Sequence, residues 1–215
     1  MAPRTSTARR IVDEAMRLFG ERGYHATSVA DIEAATGLAP GRGGLYRHFR
    51  SKRALLDAGV RRQIASNREL IARMAAGAHP APAVTDDAPL LEQLRALARA
   101  GIERLGRERD LNRLLVRDLR EFPDLRELAV DGDIRPVHAA LATWLASHDT
   151  TGRIDHEALA AVLAGATAHF WLLRDVFGEH PTGVDASRYT DALARLTLAV
   201  LTADHDPPGS RSSTP

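Results

Sequence analysis

Residues Thr27–Leu55 read TSVADIEAATGLAPGRGGLYRHFRSKRAL, and this stretch decides the fold. Ser28 stands three residues before Asp31, the spacing at which a hydroxyl and an acidic side chain satisfy free N–H groups at a helix start. Gly37 suits the left-handed position just past a short helix, and Leu38 can then fold back on Val29 and Ile32. Pro40 fits the first turn of a following helix, because its missing N–H would be unpaired there anyway. Leu45 and Phe49, four residues apart, would anchor that third helix inward, which leaves Arg42, Gly43, Tyr46, Arg47 and His48 outside. Upstream, Thr7–Gly20 reads as a first helix with Ile11, Ala15, Leu18 and Phe19 on one apolar stripe.

A short helix, a tight turn and a second helix make the geometry that presents a recognition helix to a major groove, where Arg can donate two hydrogen bonds to guanine. Arg42 and Arg47 are the candidate base readers. Gly43 and Gly44 serve either close backbone approach to DNA or a left-handed turn, or else are simple loop residues. Thr27 and Ser28, at the start of the second helix, can meet phosphate, although capping alone accounts equally well for Ser28.

Charge is divided in the same sense. Residues 1–62 hold 12 Arg and Lys against 6 Asp and Glu, while the remainder holds 17 against 22, although the whole chain is only +1. A basic head meeting a polyanion explains this split, and so does a solvated basic face. The chain has 215 residues, 44% hydrophobic and 27% charged, which suits a globular protein with a substantial core. Its low aromatic content and its abundance of Ala, Leu and Arg favour helices over sheets.

Apolar residues recur at helical spacing along the rest of the chain: Leu55 to Met74, Leu91 to Leu105, Leu111–Phe122, Ile134–His148, Asp155–Val176 and Asp185–Ala203. Pro123, Gly152 and Pro181 mark breaks. Gly77–Pro89 carries three prolines and no helical period, so it should separate two helical blocks, and Asp204–Pro215 should be mobile. The expected architecture is all-α with about nine helices.

The density of coupled positions then matters. The Gly23-Tyr24 step, Thr27-Ser28-Val29-x-Asp31-Ile32-x-x-Ala35-x-Gly37-Leu38, Leu45-Tyr46-x-x-Phe49 and Ser51-Lys52 leading to Leu55 together resemble the signature of the tetracycline-repressor (TetR) family. One departure is plain: the family usually has two fewer residues between the turn glycine and the Leu-Tyr pair, where this chain has Ala39-Pro40-Gly41-Arg42-Gly43-Gly44. The turn or the start of the recognition helix must therefore be remodelled.

The resemblance implies a three-helix DNA-binding domain over 1–55, a helical regulatory and dimerisation domain over 56–203, and a disordered tail over 204–215. It implies phosphate contacts from Tyr46, His48 and Lys52, a homodimer on double-stranded operator DNA, and a small-molecule effector among the middle helices. Repression relieved by a small hydrophobic ligand is the function it favours, with a dimeric regulator lacking any effector as the alternative. No cofactor is expected.

The body offers candidates. Phe122, Trp144, His169, Phe170 and Trp171 could line an apolar chamber, or could be plain core, with His169 a hydrogen-bonded core histidine. Asp155–Val176 and the last helix are apolar on two faces, so one face should pack within the subunit. The other, through Ala158, Ala161, Gly165, Ala168, Leu172, Leu193, Leu196 and Val200, would meet a two-fold mate, unless the chain forms one large monomeric core.

Enzyme constellations are missing: there is no Gly-x-Ser-x-Gly, no His-Glu-x-x-His and no Gly-x-x-x-x-Gly-Lys, and the Gly41–Gly44 run follows no strand. Asp131-Gly132-Asp133 and Asp204-His205-Asp206 hint at a cation, but turn chemistry explains both, and no metal is expected. With no cysteine, thiol catalysis and cysteine zinc sites are excluded. No stretch approaches the roughly 20 uninterrupted apolar residues of a membrane span, and the first residues lack a secretory core, so a cytoplasmic protein is expected.

Overall fold

The structure is a computed structural model that describes residues 4–79, 84–85 and 87–203. The expected tail 204–215, with Asp204-His205-Asp206, lies outside the described residues, as do 80–83 and 86 of the expected connection. Among the described residues there are nine α-helices and no strand: α1 Arg4–Arg22, α2 Val29–Ala35, α3 Lys52–Ala75, α4 Leu90–Arg107, α5 Arg109–Arg117, α6 Pro123–Ala129, α7 Arg135–Ala146, α8 His156–Phe177 and α9 Ala186–Thr202. Two 3₁₀ turns, Leu45–Arg47 and Leu119–Glu121, and one π turn, Val130–Ile134, interrupt them. The all-α expectation holds.

Two compact units result, the first formed by Met1–Ala72 with Glu103–His138 and the second by Arg73–Ile102 with Ala139–Pro215. In the first unit, Ile11, Ala15, Leu18 and Phe19 of α1 are buried as their spacing predicts, together with Ile32, Leu45, Leu55, Leu56 and Val60. Their cover is completed by Leu111 and Leu114 of α5, by Leu119, and by Leu125 and Ala129 of α6. Each fully buried Leu or Phe contributes roughly 1.5–3 kcal/mol, so the α5–α6 segment is a major part of the head's stability.

Backbone approach between α1 and α5 is tight. A Cβ at Gly20 would lie 2.7 Å from the Asp110 Cα, so only glycine fits there. Arg117 of α5 closes the end of α1 by donating from its guanidinium to the Phe19 carbonyl at 2.6 Å and to the Gly20 carbonyl at 3.3 Å. The Phe19 carbonyl also accepts the Gly23 N–H at 2.9 Å, so Arg117 adds a second donor there, and it reaches the Gly20 carbonyl in the last turn, where helix carbonyls lack helical partners. The same Arg117 donates to Asp118, whose carboxylate accepts the Tyr24 N–H.

Sequence expectation and structure part company around residue 120. The helix expected over Leu111–Phe122 stops at Arg117 and tightens into a 3₁₀ turn, and Pro123, expected only as a break, opens α6 at its first turn, where proline costs no hydrogen bond. Asp131-Gly132-Asp133, expected as an ordinary turn, forms the π turn. Asp133 accepts from Asn67 at 2.8 Å and from Arg104 at 2.6 Å, and Arg104 also donates to Glu108 at 2.8 Å. Gly132 gives this turn room, because a Cβ there would lie 2.9 Å from Ile64.

In the second unit, Asp155 and Asp185 cap α8 and α9 by accepting from the Ala158 and Arg188 N–H groups. The buried face of α8 carries Ala160, Leu163, Thr167, Phe170 and Trp171, and that of α9 carries Thr190, Ala194, Thr197 and Leu201. The buried threonines satisfy their hydroxyls on carbonyls of their own helix, Thr167 on Leu163 and Thr197 on Leu193. By length and composition alone, α8 is long and apolar enough to cross a membrane. The cause is its run of Ala and Leu, and Glu157, His169, Arg174 and Asp175 interrupt it.

Two buried carboxylates share one guanidinium in the Arg104 cluster, and burial raises the Glu108 carboxyl above the usual carboxylate range against the pull of Arg104. Arg104→Ala is therefore expected to cost about 3–5 kcal/mol at neutral pH, because both acids would remain buried without their shared cation. The folded state then holds the Glu108 proton more tightly than the unfolded chain, so the deficit shrinks as pH falls toward the carboxylate range. Urea unfolding of both proteins at several pH values measures this.

Candidate nucleic-acid interface

The second helix is closed at both ends by its own residues. Ser28 Oγ accepts the Asp31 N–H at 3.1 Å while Asp31 accepts the Ser28 N–H at 2.8 Å, the reciprocal cap that the sequence predicts. These bonds from Ser28 hold the Asp31 carboxyl below its ordinary range. At the other end Gly37 has φ 70°, with the Gly37 N–H on Ala34 O and the Leu38 N–H on Glu33 O. That is a Schellman closure, and Leu38 packs on the core as expected.

Beyond Gly37 the expected third helix is corrected. Pro40 does not open an α-helix: the chain turns through Ala39–Gly44 and makes only the 3₁₀ turn Leu45–Arg47, followed by the Phe49 N–H on Leu45 O at 3.0 Å. The cause lies in Gly41 and Gly43, whose φ values of 72° and 70° are incompatible with a right-handed helix. The anchors survive this change, with Leu45 fully buried and Phe49 packed on the same core.

One side chain holds the irregular interval. Glu33, on α2 and fully buried, accepts the Gly41 N–H at 2.7 Å on one carboxylate oxygen and the Leu45 N–H at 3.0 Å on the other. Sequence reasoning passed over Glu33 because an acid in a short amphipathic helix ordinarily faces water.

Arg42, Tyr46 and Arg47 are exposed, Gly43 and His48 half-exposed. Neither the Arg42 nor the Arg47 guanidinium has a hydrogen-bond or ion-pair partner among the described residues. Arg50, not singled out by the sequence, is equally exposed; its place just after the motif was the available signal.

Two expected phosphate contacts point inward instead. Thr27 is fully buried, and its hydroxyl donates to the Gly23 carbonyl at 2.8 Å and the Leu18 carbonyl at 3.2 Å. Lys52 Nζ donates to the Tyr24 and Thr27 carbonyls at 2.8 and 2.9 Å and lies 4.2 Å from the centroid of the Tyr24 ring. Partial burial lowers the Lys52 pKa. Both residues tie the entry of α2 to the head, because the carbonyls of the Gly23–Thr27 connection lack helical partners.

Candidates in the body fall in different places. Phe122, expected at a chamber, belongs to the first unit, edge-on to Tyr24 at 4.8 Å and beneath the Arg53 guanidinium. Trp144, Phe170 and Trp171 are buried in the second unit. His169 is not a core or chamber histidine: it is exposed, on the face of α8 that carries Ala158, Ala161, Gly165 and Ala168. Those four residues are exposed as well, as are Leu196 and Val200 of α9, and Leu172 and Leu193 are half-buried.

Residues 11–58 match the family model described as bacterial regulatory proteins, tetR family. Over those residues the chain is similar to that family. Solved structures of TetR-like proteins share the fold over nearly the whole chain. A TetR-like regulator from Rhodococcus sp. RHA1 is 22% identical, with a TM-score of 0.66 over 94% of this chain and 98% of that one. AibR, solved with isovaleryl coenzyme A and operator DNA, is 20% identical with a TM-score of 0.65 over 88% and 97%. FadR from Bacillus subtilis, solved with stearoyl-CoA, is 16% identical with a TM-score of 0.62 over 89% and 97%. No curated protein sequence matches the chain. At these identities the likeness is one of fold.

Lys52→Met is expected to lower stability by about 2 kcal/mol, since charged hydrogen bonds to two carbonyls are lost, while the slope of log affinity for duplex DNA against log salt stays unchanged. A slope reduced by about one would return Lys52 to the phosphate backbone.

Proposed function

We propose that this TetR-type chain is a cytoplasmic, homodimeric, sequence-specific repressor, released from its operator by a small hydrophobic effector. The observation that carries the DNA-binding half is a pair of exposed, unpartnered guanidiniums, Arg42 and Arg47, on a segment anchored by buried Leu45. Free guanidiniums on a rigid support suit bidentate contact with guanine. Tyr46, Ser28, His48 and Gly43 complete the proposed contact set, with Arg50 added.

Pairing is supported by apolar surface that a single chain leaves uncovered. Val162, Val176 and Phe177 of α8 and Leu196 of α9 are each more than 60% exposed, beside the small residues Ala158, Ala161, Gly165 and Ala168. Large apolar groups left in water in this number mark an interface. Small residues between them permit close helix approach, and two-fold closure brings two reading heads to successive major grooves about 34 Å apart.

The effector half is supported by the second unit's aromatic interior and by the AibR and FadR structures, whose bound molecules are CoA esters. Trp144 is fully buried and its indole Nε1 has no acceptor among the described residues, so a ligand oxygen would satisfy it. Phe170 and Trp171 are the other proposed lining groups.

A duplex selected by the protein from random sequence provides the test. Arg42→Ala and Arg47→Ala are each expected to weaken binding to it by about 1–3 kcal/mol and to relax preference at one base pair. Leu196→Glu is expected to yield monomers by sedimentation and to abolish tight operator binding. Isovaleryl-CoA and stearoyl-CoA serve as first effector probes: a raised Tm with weakened operator binding supports release. A regulator without an effector would respond to neither.

A further inference from the structure

We propose that Glu33 is the positioning residue that sets DNA sequence preference, by fixing the path of Ala39–Gly44 and with it the direction in which Arg42 and Arg47 leave the head. The proposal rests on the DNA-binding reading above and deepens it.

Three observations lead there. First, α2 does not need Glu33: Ser28 and Asp31 close its start, and the Gly37 turn closes its end. Both bonds from the Glu33 carboxylate go instead to residues 8 and 12 positions further on. Second, burial of a carboxylate is costly unless it is compensated. No cation forms an ion pair with Glu33 among the described residues, so the Gly41 and Leu45 N–H groups are what hold it there.

Third, the interval cannot organise itself. Gly41, Gly43 and Gly44 have many accessible conformations, and the one backbone bond with both ends inside Ala39–Gly44 is the Arg42 N–H on Ala39 O at 3.3 Å, while the Gly43 and Gly44 carbonyls accept from Tyr46 and Arg47 beyond it. The two carboxylate oxygens pin residues 41 and 45, so Arg42 lies between two fixed points and Arg47 two residues past the second. The longer turn and the buried acid therefore read as one device, in which preorganisation offsets the entropy of a glycine-rich reading segment.

Glu33→Gln keeps the shape but leaves one acceptor facing two donors, and Glu33→Ala removes both. Each is measured against the duplex that the wild-type protein selects and against a scrambled duplex, alongside amide hydrogen exchange. The expected result is a loss of about tenfold or more in affinity for the selected duplex, with scrambled-duplex affinity within about twofold. The Gly41 and Leu45 amides become fast-exchanging, while those of α1 and α2 remain protected.

Wild-type affinity and base preference in both variants would overturn the proposal, as would unprotected Gly41 and Leu45 amides in the wild-type protein. Loss of α1 and α2 protection together with all DNA binding would assign Glu33 to fold stability and overturn it too. A wild-type protein that selects no duplex would remove the DNA-binding reading, and this proposal with it, whereas the other outcomes remove the proposal alone.

Discussion

The apolar stripe of α1 is too large for the two short elements that follow it. Phe19, Leu18 and Ile11 are all but inaccessible to water, and α2 with its seven residues cannot cover them. The cover comes from α3 and from α5 and α6, more than 80 residues further along the chain, and the fit is close enough that Gly20 meets the Asp110 backbone. Loss of that contact would leave several large side chains in water, a change comparable with the whole stability of a small domain. The reading segment hangs from this core through Leu45 and Phe49, so its placement is inherited from packing done elsewhere.

Rigidity in the reading segment arises differently. A regular recognition helix is stiff because each N–H bonds four residues back. Here glycines with positive φ break that ladder, and a side chain from the neighbouring helix replaces two of its bonds. A buried carboxylate is an expensive way to hold a loop, but its two oxygens impose a distance as well as an orientation, which a single capping hydroxyl could not.

Local rules made much of this legible in the sequence. The cap at Ser28, the turn at Gly37 and the inward pair Leu45 and Phe49 depend on neighbours within four residues, and the side chains on the open faces of α8 and α9 follow from helical period. Much of what failed depended on distant partners. Thr27 and Lys52 look like surface polar residues until the stranded carbonyls of the Gly23–Thr27 connection come within reach. Phe122 reads as body because Pro123 suggests a boundary, whereas Tyr24 and Arg53 claim it for the head. His169 sits in an apolar run and so reads as core, although the period places it with the exposed small residues of α8. The 3₁₀ turn in place of a helix was hidden because glycine permits a helix without requiring one.

The Arg117 clasp on the end of α1 joins groups 98 positions apart. During synthesis, the end of α1 therefore stays open until the chain 98 positions further on has been made. Until roughly the α6 segment has emerged, Phe19 and its neighbours lack their lid, and the nascent head is a sticky intermediate of high contact order. A head built this way is completed only after residues 73–102, which belong to the other unit, have been made.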